Sequence, residues 1–164
     1  MTQVSRAPRK ASSRLSVATT RSRARAFALQ GLYQLLVGKA DVLDVDLHTR
    51  ELAGFAKCDV EHYARLLQGC AQHGADLDTR LQPWLDRPLV ELSPIEHAVL
   101  WIGLFELQHC LEVPWRVVLN ECIELAKDFG GTDGHKFVNG VLHRAAPDLR
   151  PDEVRVDRPT TTTA

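Results

Sequence analysis

The sequence predicts an all-α domain of about seven helices, and three observations carry that prediction. Apolar residues recur at helical spacing in one segment after another. The breaks between segments are helix caps, prolines and glycines in helix-ending positions. No stretch alternates polar and apolar for long, and no Asn-Gly or Asp-Gly is flanked by β-branched runs, so strands are not expected. At 164 residues, 45% hydrophobic and 25% charged, the chain can bury one sizeable core.

The first helix is expected from about Arg23 to Val37, stopped by Gly38. At 100° per residue, Ala28, Leu29, Leu32, Leu35 and Leu36 form one apolar stripe, with Arg23, Gln30, Tyr33 and Gln34 opposite. Arg21 and Arg25 fall over the stripe, which predicts a first turn projecting beyond the core. A second helix, Val45–Lys57, would turn Leu47, Leu52 and Phe55 inward. Asp59 is the expected N-cap of a third, Val60–His73, carrying Tyr63, Leu66, Leu67 and Cys70. Gly74 is read as a break before a short fourth helix, Ala75–Leu85, with Leu77, Leu81 and Trp84 inward.

Ser93-Pro94-Ile95-Glu96 is the clearest start signal. Ser93 caps, Pro94 takes the first helical position where no amide hydrogen is needed, and Glu96 closes the capping box. The helix that follows should reach about Cys110, and Gly103 in its middle implies close approach of another helix. Pro114 opens the next, and Gly130-Gly131 should end it in a left-handed turn. Asp133 begins the last, which carries Phe137, Val138, Val141 and Leu142 and stops at Pro147.

Residues 1–20 and 148–164 are expected to be loose. The first segment is rich in Ser, Arg, Thr and Ala without helical period, and the second holds prolines and four consecutive threonines. The folded domain is then 21–147. The longest apolar stretch, Ala98 to Phe105, is far short of the ~20 residues that cross a bilayer. Four cysteines without a CxxC pair are expected to be buried thiols in a cytoplasmic protein.

Enzyme chemistry finds no constellation to rest on, and the reading is of a protein without catalytic residues, metal or cofactor. HExxH is absent. Glu106-x-x-His109 is half of a di-iron signature that needs two copies. Gly130 to Lys136 resembles a phosphate loop only loosely, since His135 parts the glycine from the lysine and a helix precedes it.

Charge is more informative. The net charge of −1 hides eight cations and no acid in residues 1–40, against 12 cations and 21 acids in the remainder. A basic arm on an acidic body suggests a polyanion held at one end. Arg21, Arg23 and Arg25 lead into Gln30 and Tyr33. Arginine forks suit phosphates, and Tyr33 could stack an unpaired base, which favours single-stranded RNA over duplex DNA. The alternative is a solubilising arm with Tyr33 covering the core. A second candidate patch is Asp133, Lys136 and Phe137 at the start of the last helix, although Phe137 is by residue type a core candidate.

Several blocks together resemble the NusB family of bacterial transcription antitermination factors. They are Arg21-x-Arg-Ala-Arg25, Ala28-Leu-Gln-Gly-Leu-Tyr33, Glu96-x-Ala-Val-Leu100, Val113-Pro114, Asn120-Glu121-x-Ile-Glu-Leu-Ala-Lys127 and His135-Lys-Phe-Val-Asn-Gly-Val-Leu142. The last two are the most specific, and the family order holds over about residues 21–150. The resemblance implies two small packed helical bundles. It implies binding of the boxA element of nascent ribosomal RNA jointly with the ribosomal protein NusE, in a complex that carries RNA polymerase through terminators. It assigns RNA contacts to Arg21, Arg23, Arg25, Gln30, Tyr33, Asp133, Lys136 and Phe137, and the NusE-facing surface to Glu91 and Glu96.

Two positions depart from the family pattern. Ser22 stands where many relatives have another arginine, and Trp101 where the helix is often polar. An outward Trp101 beside the apolar run from Ala98 would mark a homodimer face, so a self-associating helical scaffold is the rival reading. A related helical domain precedes some RNA cytosine methyltransferases, but no methyl-donor-binding segment is found here.

Overall fold

The structure is a computed structural model that describes residues 12–38 and 40–157. Its helices are α1 (Ser12–Val37), α2 (Val42–Arg50), α3 (Val60–Leu81), α4 (Pro94–His109), α5 (Trp115–Phe129), α6 (Gly134–Leu149) and α7 (Pro151–Asp157). Short 3-10 turns lie at Phe55–Lys57, Gln82–Trp84 and Leu89–Glu91, and no strand occurs among the described residues. The all-α expectation holds. None of these helices is long and apolar enough to cross a membrane.

Helix α4 is the axis of the fold. Every residue from Ala98 to Leu107 is buried, and a helix apolar all round must be enclosed on all sides. Helices α1 and α3 pack on one flank, and α5 and α6 on the other, giving two small bundles that share α4. Helix α3 runs antiparallel to it. His97 at one end of α4 meets Asp78 at 2.6 Å, while the backbone oxygen of His109 at the other end accepts from Arg65. Helix α5 is antiparallel as well, since Cys122 lies under Val99 and Gly130 reaches Ile95.

The start of α4 forms as expected. The Glu96 amide donates to Ser93 Oγ and the Ser93 amide donates to Glu96 Oε2, each at 3.2 Å. Gly103 is also explained, because a Cβ there would stand 3.0 Å from both Cys122 Sγ and the Leu142 methyls. All four cysteines are buried free thiols.

Other expectations are corrected. Helix α3 passes straight through Gly74, where a break was expected. A Cβ at Gly74 would sit 2.8 Å from the Trp101 ring, and one at Gly69 would sit 2.3 Å from Phe105. These glycines let α4 aromatics lie on α3; they are not stops. Trp101 is therefore 8% exposed, with its ring N–H bonded to Asp78 at 2.7 Å, and does not form an outward patch. In the second segment, Asp41 caps α2 earlier than expected, so Val45 and Thr49 face inward and Leu47 is exposed. Gly130 is extended (φ −95°, ψ 177° from zero in the negative sense) and not left-handed.

Pro147 does not stop α6, which runs on to Leu149. The following turn persists because the Arg150 amide still reaches the Ala146 carbonyl at 2.8 Å. Of the two segments expected to be loose, residues 12–20 are helical in α1 and 151–157 form α7, while 1–11 and 158–164 lie outside the described residues.

The Gly69 contact gives a test. Glycine to alanine inside a helix normally gains about 1 kcal/mol. Here the Phe105 ring must move out of a filled core, at about 1–3 kcal/mol. Gly69→Ala is expected to lower the urea midpoint, and a raised midpoint would refute the close-packing role.

Candidate nucleic-acid interface

Helix α1 presents the expected outward side. Arg23 is exposed, Gln30 half-buried and Tyr33 40% exposed. At 100° per residue Gln30 lies within about 20° of Arg23, and Tyr33 stands about 80° round, at the edge of the buried stripe. Ten residues of helix separate Arg23 from Tyr33, about 15 Å of rise. This flank of α1 can offer one guanidinium fork, one amide and one ring. Arg21 lies round the helix from them, with its Nε 3.5 Å from Asp59 Oδ2 and its side chain 39% exposed.

Arg25 is elsewhere. It is 2% exposed, and its Nε and Nη2 donate to the two oxygens of Glu106 at 2.7 and 3.2 Å. Its Nη1 lies 3.6 Å from Glu121 Oε2. The buried His62 ring completes the cluster, with Nε2 2.8 Å from Glu106 Oε1. The stripe position of Arg25 was legible, but the inference that this turn projects beyond the core is overturned. A buried carboxylate on α4 receives the charge, so Arg25 faces no ligand.

Burial alone would push the Glu106 carboxyl up. The His62 hydrogen bond and the Arg25 guanidinium outweigh it and hold the group below its ordinary value. Ser22, where an arginine was noted as missing, places its hydroxyl 2.9 Å from both oxygens of Glu121. A serine here ties α1 to α5.

The second patch forms at the start of α6. Asp133 and Lys136 are well exposed and paired at 3.4 Å. Phe137 is half-buried, with the Arg87 guanidinium 4.0 Å over its ring. Arg87 was not singled out from the sequence. It comes from the loop before α4, fifty positions away, and nothing local marks it. Glu96 adjoins this corner, since a Cβ on Gly134 would lie 3.3 Å from Glu96 Oε1. Glu91 is exposed on the 3-10 turn just ahead of α4.

Arg25 and its neighbours meet α4 at Glu106, whereas α6 starts beside Glu96, ten residues or about 15 Å along the same helix. Among the described residues no group of three or more His, Cys, Asp or Glu is placed to hold a metal ion.

Comparison with known proteins agrees with this architecture. The model of the NusB family matches residues 22–147. The chain belongs to the NusB family. A NusB relative from Albidiferax ferrireducens, named a transcription antitermination protein, is 66% identical over 84% of this chain and 78% of its own length. One of the same name from Bordetella pertussis is 48% identical over 87% of this chain and 95% of its own. The solved NusB of T. maritima superimposes with a TM-score of 0.69 at 25% identity, covering 82% of this chain and 96% of that one. The matched region holds α1 from Ser22 onward, α2 to α5 and α6 as far as Pro147; Arg21 and α7 lie outside it.

Proposed function

We propose that this NusB-family chain is a non-enzymatic, cytoplasmic transcription antitermination factor. It binds the boxA element of nascent ribosomal RNA together with NusE and helps RNA polymerase read through terminators. The observation that carries the reading is the solvent-reaching flank of α1 with Arg23, Gln30 and Tyr33, with Arg21 partly exposed round the same helix. A guanidinium, an amide and an aromatic face spaced along one helix match the phosphates and unstacked bases of a single strand. Phe137 under Arg87, with Lys136 beside it, offers a second stacking and charge point further along the strand.

Arg25 enters this reading only as an internal anchor that sets the pitch of α1. Glu91 and Glu96 form the NusE-facing edge. Glu96 adjoins the α6 patch, so protein and RNA partners would meet at one corner of the fold. A self-associating scaffold loses its motive once Trp101 is buried.

The test is a salt titration of binding to a boxA RNA oligonucleotide, with and without NusE. Each lost phosphate contact on a single strand reduces the log–log slope by about 0.7. The pair Arg21→Ala and Arg23→Ala is therefore expected to weaken binding and flatten the slope without moving the unfolding midpoint much. Wild-type affinity and slope in that variant would refute the assignment. Arg25→Ala is unsuitable for this purpose, because it strikes the core.

A further inference from the structure

A cleft of about 390 Å³ opens beside the start of α3 and is lined by Arg21, Asp59, Glu61, His62 and Arg65. Arg21 leans toward Asp59 at 3.5 Å on one wall. Arg65 forms another, bonded to the His109 carbonyl at 2.6 Å and paired with Glu112. His62 is buried at the base, held by Glu106. Glu61 is exposed at the rim, and Asp59 Oδ1 accepts from the His62 amide as the cap of α3.

The charges on these walls decide what fits. Two guanidiniums would welcome a phosphate, but the two carboxylates beside them repel one. A neutral ligand that carries both donors and acceptors suffers no such conflict. A nucleobase is such a ligand. Ionised carboxylates only accept hydrogen bonds, so they select bases with an exocyclic amino group, as in their pairing with the cytosine amine. Guanidinium planes stack on unstacked bases, and recognition of single-stranded RNA works through such splayed bases. The cleft also shares Arg21 with the basic arm, so a strand that leaves the Arg23 side and turns round the helix reaches its mouth.

We propose that this cleft takes up one unpaired, amino-bearing nucleobase of the bound RNA. Glu61 and Asp59 accept from its edge, and Arg21 and Arg65 flank its faces. The inference rests on the RNA-binding reading above and adds to it a base-selective site that the α1 flank does not include.

The sign of one substitution tests it. Taking a negative charge away beside a polyanion ordinarily strengthens binding. If Glu61 accepts from a base, Glu61→Ala instead weakens binding to a boxA RNA oligonucleotide, by about tenfold for a hydrogen bond to a charged group. The salt slope stays at the wild-type value, because no phosphate contact is lost. Oligonucleotides with single abasic positions complete the cycle: one position should cost the wild type affinity and cost Glu61→Ala almost nothing. Asp59→Asn, which preserves the cap of α3, should also weaken binding while the protein stays folded. Unchanged or tighter binding by Glu61→Ala, or no abasic position whose penalty disappears, overturns the proposal. Failure of the wild type to bind the RNA, with or without NusE, would overturn the RNA reading itself and the cleft with it.

Discussion

Replacing Glu106 by alanine is expected to cost about 3–5 kcal/mol of folding free energy, the range for removing one partner of a buried ion pair. Glu106 is fully buried in the middle of the molecule and receives Arg25 from α1 and His62 from α3. Without it, the Arg25 guanidinium remains enclosed, with Glu121 3.6 Å away as its remaining ion-pair partner among the described residues. Urea unfolding followed by circular dichroism reads the loss directly, and a midpoint within error of wild type would refute the account.

The same group gives a pH signature. Its carboxyl is held below the ordinary value of 4.5 in the folded protein, so the unfolded chain binds its proton more readily. The stabilisation is therefore complete above that ordinary value and is lost as pH falls through the lower folded one. Glu106→Gln removes this titration, and its stability should fall less steeply on acidification than that of the wild type.

The second large effect is expected at Arg150. This buried side chain closes the end of α4, where the last carbonyls of any helix lack partners. Its Nε donates to Leu107 O at 2.8 Å, and Nη2 to Glu106 O and Cys110 O at 3.0 Å each. Nη1 reaches Val113 O at 2.9 Å and Glu153 Oε2 at 2.7 Å, which also fastens α7. Arg150→Ala takes the donor from the Leu107 and Val113 carbonyls and the partner from Glu153, while the Glu106 and Cys110 carbonyls keep the Cys110 and Val113 amides. At about 1–3 kcal/mol for each buried carbonyl left unpaired, a net loss of about 2–4 kcal/mol is expected.

Lysine should rescue little, because a single ammonium cannot span four carbonyls as the planar fork does. Thermal unfolding of the alanine and lysine variants checks both statements, and full rescue by lysine would refute the forked-cap role. Arg150 donates to the backbone of Glu106, so the effects of the two sites should not add.

How far each of these features could be read in advance follows from its range along the chain. The Ser93 capping box was legible because both of its bonds close within three residues. The outward flank from Arg23 to Tyr33 was legible from helical period alone. Gly74 was misread because a glycine in a helical segment signals either an end or a close approach. Only Trp101 of α4, lying on it, decides between them. Arg25 was assigned to the ligand surface with its neighbours, since nothing nearby announces Glu106, 81 residues on. Arg87 over Phe137, and Arg65 in the cleft with Arg21, were not legible at all.

From its sequence alone this protein is all helical, basic at its leading end, and built from the motifs of the NusB family. Those properties depend on interactions that span three or four residues, or on residue identity itself. Only the tertiary structure decided which arginines face outward and which are swallowed, which glycines are contacts, and where a recess opens beside α1. Burial and charge pairing are set by groups brought together from distant parts of the chain, and a charge in a helical stripe has no fate until its partner is in place.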